Sequence, residues 1–275
     1  MERAAAVARP DTASSHAPEP LPGAAAPIAV HWLGRVAYRD AWDLQKRLAA
    51  ARAEARIADQ LLLLEHPAVL TLGRQADESH VLAPPELLAA RGVEVLRVER
   101  GGEVTYHGPG QLVAYPILRL ADRELLLRPY VRALEAALAA TCAAFGVEAG
   151  RRDGHPGCWV GVDGPLPRKI GALGIRVERG VAYHGIALNV DVALADFQLI
   201  DPCGMPGLVS ASIAGELGRA DEPPSTAAVA EAASVFARAL ADALGSVPLA
   251  GVLPPAADPA TERAALERLL AARAA

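Results

Sequence analysis

The chain has 275 residues, 52% of them hydrophobic and 21% charged, with a net charge of −5. That is a globular composition, long enough to bury a full core, and its apolar runs, such as "LLLL" and "VLTL", fall far short of the ~20 residues a membrane helix needs. The acidic balance and an aromatic share of 4% argue against a nucleic-acid partner, which requires basic and base-stacking surface.

Residues 1–26 are acidic in places, proline-rich and without the apolar segment of a secretory signal, so they read as a disordered extension. Order is expected to begin with a strand at "IAVHWLG". "YRDAWDLQKRLAAARAEARIAD" has the composition of a helix. "QLLLLEHPAVLTLG" gives two strands split by Pro67, and "PPELLAARG" a brief helix with proline at its start and glycine after its end. "VEVLRV" then leads as a strand into "RGGEVTYHGPGQ", a glycine-rich loop, and "QLVAYPILRL" follows as another strand.

"RPYVRALEAALAATCAAFG" is a helix, with Val131, Leu134, Leu138 and Cys142 on one face. "GCWVGVD", "RKIGALGIRVE" and "VAYHGIALNV" predict an antiparallel meander, and "STAAVAEAASVFARALADALG" a helix between Ser225 and Gly245. The sum is an α/β (α+β) fold with a mixed sheet rather than a doubly wound parallel one. It forms a single domain over 28–249. Residues 250–275 read as a linker and a marginal, loosely attached helix.

No C-x-x-C spacing is present, so neither a zinc site nor a disulfide framework is expected; reduced thiols fit a cytoplasmic protein. Cys142 on an apolar helix face and Cys158 in a strand read as small buried hydrophobes. Cys203 differs, because "DPCGMPG" suits neither helix nor strand. It is either a stiff turn that contains a thiol or a nucleophile on a rigid loop, with amides near Gly204 free to hold an oxyanion. At neutral pH a free thiol is only a few per cent thiolate, so a nucleophile needs a base or cation. His107, His184 and Lys169 are the candidates. Lys169 heads "KIGALGI", where partial burial makes a lysine amine a proton acceptor; the bland account is a solvated strand end. Two Tyr-His-Gly units, at 106–108 and 183–185, either line one cleft or fill the core under tight turns. No G-x-x-x-x-G-K-[ST], G-x-G-x-x-G or G-x-S-x-G is present, so no nucleotide or other cofactor is expected.

Together "RGGEVTYHGPGQLVAYPI", "KIGALGIRVERGVAYHGIALNV" and "IDPCGMPGL" resemble the lipoyl(octanoyl) transferases, the lipoate-protein ligase B family, from about residue 30 to 245. The resemblance implies the fold of biotin and lipoate ligases, a mixed sheet flanked by helices with a smaller sheet beside it. It implies transfer of an octanoyl group from octanoyl-acyl carrier protein to a lysine of lipoyl domains, those of 2-oxoacid dehydrogenase complexes and the glycine cleavage H protein, by a monomer. The family's nucleophile falls on Cys203 and its partner lysine on Lys169. Its substrate-lining segments fall on Arg100, Gly101, Gly102, Glu103, Val104, Thr105, Tyr106 and His107, on Ala172, Leu173 and Gly174, and on Gly185, Ile186 and Ala187. Acidic carrier domains would meet a basic face built from Arg97, Arg100, Arg151, Arg152, Arg168, Lys169, Arg176 and Arg179, unless these are only solvated strand ends. The rival readings are an ATP-dependent lipoate or biotin ligase, in which Cys203 is idle, a medium-chain fatty-acid-binding module, and a thioesterase-type cysteine hydrolase.

Overall fold

The computed structural model describes residues 27–245 and 258–271; the extension at 1–26 and the linker part of the tail lie outside the described residues. The elements in chain order are β1 (Ile28–Arg35), α1 (Tyr38–Ala53), β2 (Asp59–Glu65), β3 (Val69–Leu72), α2 (Pro85–Ala90), β4 (Glu94–Arg97), β5 (Val104–His107), β6 (Gln111–Arg119), α3 (Leu127–Ala144), β7 (Ala149–Arg152), β8 (His155–Val160), β9 (Arg168–Glu178), β10 (Val181–Asn189), α4 (Ile213–Glu216), α5 (Thr226–Ala243) and α6 (Pro259–Ala271).

Seven strands form one mixed sheet in the order β1-β2-β6-β10-β9-β8-β7. β1 pairs parallel with β2, and the remaining neighbours are antiparallel. β2 is buried at every position, which is why it reads as an unbroken apolar run rather than an alternating one. One face packs on α3 and α5 through Leu134, Leu138, Phe236 and Leu240. The other packs on α1 and α6 through Leu44, Leu48 and Leu266. β4-β3-β5 make a second, smaller sheet. The mixed α/β fold with its two sheets is the one expected.

Two strands were not expected. β5 lies inside the glycine-rich stretch, where its four residues become a strand only by pairing with β3 (Leu70↔Tyr106). β7 is short and polar, held by pairing with β8. The helix at the C-terminal end also differs from expectation. Leu266 of α6 is fully buried, Glu262 bonds to His31 at 2.8 Å, and Arg47 forks onto Glu267 at 2.8 and 2.6 Å. Its few apolar residues hid a docked helix, because packing rather than propensity holds it.

Candidate active site

Cys203 and Lys169 come from segments 34 residues apart, and two local features bring them together. The chain after Cys203 returns beside β9: Lys169 N–H donates to Val209 O and Ala211 N–H to Lys169 O, both at 2.9 Å. On the other side β8 pairs Trp159 with Lys169 and Cys158 with Gly171. Ile170 is therefore left without a partner, a β-bulge that re-aims the side chains at the lysine. The result is Lys169 Nζ within hydrogen-bond reach of Cys203 Sγ at 3.2 Å, with Nζ 4.9 Å from the centre of the Trp159 ring.

Cys203 adopts φ +60°, ψ +21°, the left-handed region that costs a non-glycine residue about 1–3 kcal/mol and persists only where the surroundings impose it. Gly204 N–H donates to Asp201 O at 3.0 Å and Met205 N–H to Pro202 O at 3.2 Å. The amides expected to be free for an oxyanion are thus spent holding the thiol in place.

The thiol opens on a cavity of about 380 Å³, within the size range of small-ligand sites. It lies between the β9–β10 hairpin and the loop from Arg100 to Val104. Every residue of the three substrate segments lines it except Tyr106. Tyr106 is corrected by strand alternation: Thr105 and His107 face the cavity, while Tyr106 packs edge-on against Phe197 and donates to Asp196 at 2.8 Å. The glycines of this loop serve backbone packing. A side chain at Gly174 would sit 2.8 Å from the Gly101 carbonyl, so the loop can lie directly on β9.

Arg100 is buried, donating to Thr71 Oγ1 at 3.1 Å and Gly101 O at 2.9 Å. Burial pulls its pKa below the usual arginine value, against the opposing pull of Tyr38 and Cys203. His107 is not poised as a base for Cys203. Its Nδ1 faces Gln111 Oε1 at 2.7 Å, and since the Gln111 amide nitrogen donates to Asn189, that oxygen accepts from the ring. Burial holds His107 well below its ordinary value, hence neutral. His184 is likewise depressed by burial. Tyr38, Gln75, Tyr115, Pro156 and Ile175 complete the wall; only folding brings them there, and nothing in their local sequence marks them.

The structure divides the proposed basic face. Arg97 pairs with Glu78, Arg151 with Asp153 and Arg168 with Glu216 at 2.8–3.0 Å, while Arg176 and Arg179 lie 3.6 Å from Glu178 and Glu54. Much of that charge is balanced locally. Cys142 and Cys158 are fully buried, as expected of small hydrophobes. Among the described residues no cluster of ligating side chains is suited to a metal, and no helix is long and apolar enough to cross a membrane.

Residues 37–237 match the lipoyl protein ligase A/B catalytic domain. The chain belongs to that family. Within it, an octanoyltransferase of Chloroflexus aurantiacus is 49% identical over 205 residues, covering 74% of this chain and 89% of the relative. Another, from Rhodococcus opacus, is 48% identical over 198 residues, covering 70% and 74%. This similarity makes the family member described here an acyltransferase of the octanoyltransferase type. Among solved structures, a bipartite lipoate protein ligase of Thermoplasma acidophilum aligns with a TM-score of 0.60 at 13% identity, over 90% of this chain and 92% of that one. A lipoate-protein ligase A bound with ATP aligns with a TM-score of 0.58 at 14% identity, over 90% and 94%. Those two likenesses establish the lipoate-ligase fold.

Proposed function

We propose that the chain takes an octanoyl group from octanoyl-acyl carrier protein onto Cys203 as a thioester and passes it to a lysine of a lipoyl domain. The observation that carries this reading is the 3.2 Å contact between Lys169 Nζ and Cys203 Sγ at the mouth of a cavity whose β9 and β10 walls are Ala172, Leu173, Ile186 and Ala187. Burying the seven carbons beyond the carbonyl there contributes about 6 kcal/mol at ~0.8 kcal/mol per carbon.

Lys169 accepts the Cys203 proton, and the resulting thiolate attacks the carbonyl carbon of the donor thioester. The Lys169 ammonium faces the developing negative charge, and the buried Arg100 guanidinium adds to the positive field. As the tetrahedral species collapses, the carrier thiolate leaves and recovers a proton from Lys169. In the second half-reaction the neutral amine of the acceptor lysine attacks the acyl-Cys203 carbonyl, Lys169 removes the amine proton, and the Cys203 thiolate departs. A thioester exchanges for a thioester and then for the more stable amide, so no nucleotide is required. A reduced thiol suits the cytoplasm.

The test is intact-protein mass after mixing with octanoyl-acyl carrier protein without ATP, beside Cys203→Ser. A hydroxylamine-sensitive octanoyl adduct is expected on the wild type alone. Loading that needs free octanoate and ATP, and survives Cys203→Ser, would overturn the reading in favour of an ATP-dependent ligase.

A further inference from the structure

The cavity is not apolar throughout. Its end away from Cys203 is closed by His184 and Tyr115, whose rings meet edge to face at 6.3 Å. Both imidazole nitrogens of His184 are buried without a well-aligned hydrogen bond, as is the neighbouring Gln45 Nε2. Behind the imidazole, Glu99 Oε1 lies 3.4 Å from His184 Nε2 and accepts from Trp42 Nε1 at 2.9 Å. Burial would raise the Glu99 carboxyl, but the His184 and Trp42 side chains outweigh it and hold it at about 2, so the wall is backed by a charge.

The backbone explains why a histidine stands there. Pro116 in β6 has no N–H to give its neighbour, and the β6–β10 ladder is interrupted between Ala182↔Leu118 and Ile186↔Ala114. Freed from the ladder, His184 takes φ +55° and its N–H bonds to Gln45 Oε1 at 2.9 Å. That left-handed turn directs the imidazole into the cavity.

The register supplies a length. Ala172, beside Cys203, pairs with Ala187, and three residues further along β9 Ile175 pairs with His184. Three strand residues span about 10 Å. The covering loop runs the same course, from Gly101, bonded to Ile175 O at 3.1 Å, to Glu103, against Gly204. An extended chain advances about 3.3–3.6 Å per three bonds, so the seven C–C bonds of an octanoyl group span roughly 8 Å. The terminal methyl of an acyl group on Cys203 therefore arrives at His184.

Beyond Glu99 is a second cavity of about 400 Å³, whose lining includes Trp42 and Tyr183 but also the charged side chains of Lys46, Glu99, Arg176, Glu178 and Arg179, so it offers no continuation of the apolar tunnel. Resting on the acyl-Cys203 reading, we propose that His184, backed by Glu99, is the end wall that sets the acyl-chain length this enzyme accepts. A methylene pushed past octanoyl finds no apolar wall; it presses on a buried imidazole backed by the Glu99 carboxylate, where apolar contact gains nothing.

The experiment is competitive loading of Cys203 with hexanoyl, octanoyl, decanoyl and dodecanoyl carrier thioesters, read by intact mass. Each added methylene with an apolar wall to bury against should favour loading about fourfold. In the wild type the gain is expected to stop at octanoyl, with decanoyl loading less than octanoyl. His184→Gly suits the left-handed backbone and opens the wall. There the decanoyl-to-octanoyl ratio should rise several-fold above its wild-type value, at most about fourfold for each methylene that the space left by the imidazole buries. His184→Asn, which also tolerates this backbone but is shorter, should raise the ratio less. A decanoyl-to-octanoyl ratio unchanged from wild type in the variant that still loads overturns the proposal, and so does loss of all loading in both variants while their melting temperatures are retained. If the wild type itself loads no acyl group, the transferase reading fails first.

Discussion

Gly157 is expected to control the catalytic pair without touching substrate. Its φ is +135°, and a methyl built on it would lie 2.7 Å from the Gly171 carbonyl and 2.7 Å from Lys169 Cε. The carbonyl belongs to the sheet and cannot yield; the lysine side chain can. Gly157→Ala should therefore strain the backbone by about 1–3 kcal/mol, which at roughly 2–4 °C per kcal/mol lowers Tm by about 2–12 °C. It should also push the ammonium away from the sulfur. A displacement near 1 Å costs ~10²-fold in rate. The assay is the rate of octanoyl loading on Cys203 by intact mass, with a thermal melt of the same sample. Gly154→Ala is the control, since Gly154 also has positive φ, +77°, but nothing within 4 Å of its added methyl; it should melt lower and load normally. A Gly157→Ala protein that melts lower yet loads at the wild-type rate refutes the claim that this glycine positions Lys169.

Tyr106→Phe should lose about 1 kcal/mol with its bond to Asp196 and leave octanoyl loading unchanged; denaturant melts and the loading assay check both. Asp59 is fully buried between Arg52 and Arg123, each at 2.6 Å, so Asp59→Asn breaks two buried ion pairs and should cost about 3 kcal/mol, measured as a fall in the urea midpoint. The Arg52 pair with Asp122 keeps the loss at the lower end of the range for such changes. Burial pushes His66 down to about 4 and His107 well below its ordinary value. The unfolded chain takes up protons at about 6.5 that the fold refuses, so their stabilisation is complete above that pH and lost as pH falls towards 4. Denaturant titrations should show a loss of about 3 kcal/mol from His66 alone; a flat profile over that window contradicts the burial argument.

The three motifs and the alternation of strands and helices were legible in the sequence because each is a local pattern: glycines at fixed spacing, apolar runs, and a proline-glycine turn around Cys203. Ser225 accepts from Ala228 N–H at the start of α5 as a cap should. What the sequence by itself determined, then, is an α/β chain whose thiol and lysine stand in unusual local settings. The tertiary structure decided the rest. β5 is a strand because β3 pairs with it, and α6 is docked because Leu266 finds the core beneath β1. Tyr106 is turned away from the cavity its neighbours line, and the amides after Cys203 are occupied. The polar end of the acyl cavity could not be read at all, since it joins Tyr38, Tyr115 and His184, residues from three elements. Local sequence specifies which conformations each segment prefers; which side chains share a cavity depends on pairing register and on a bulge or a missing N–H in a neighbouring strand, and those are set only when the sheet forms.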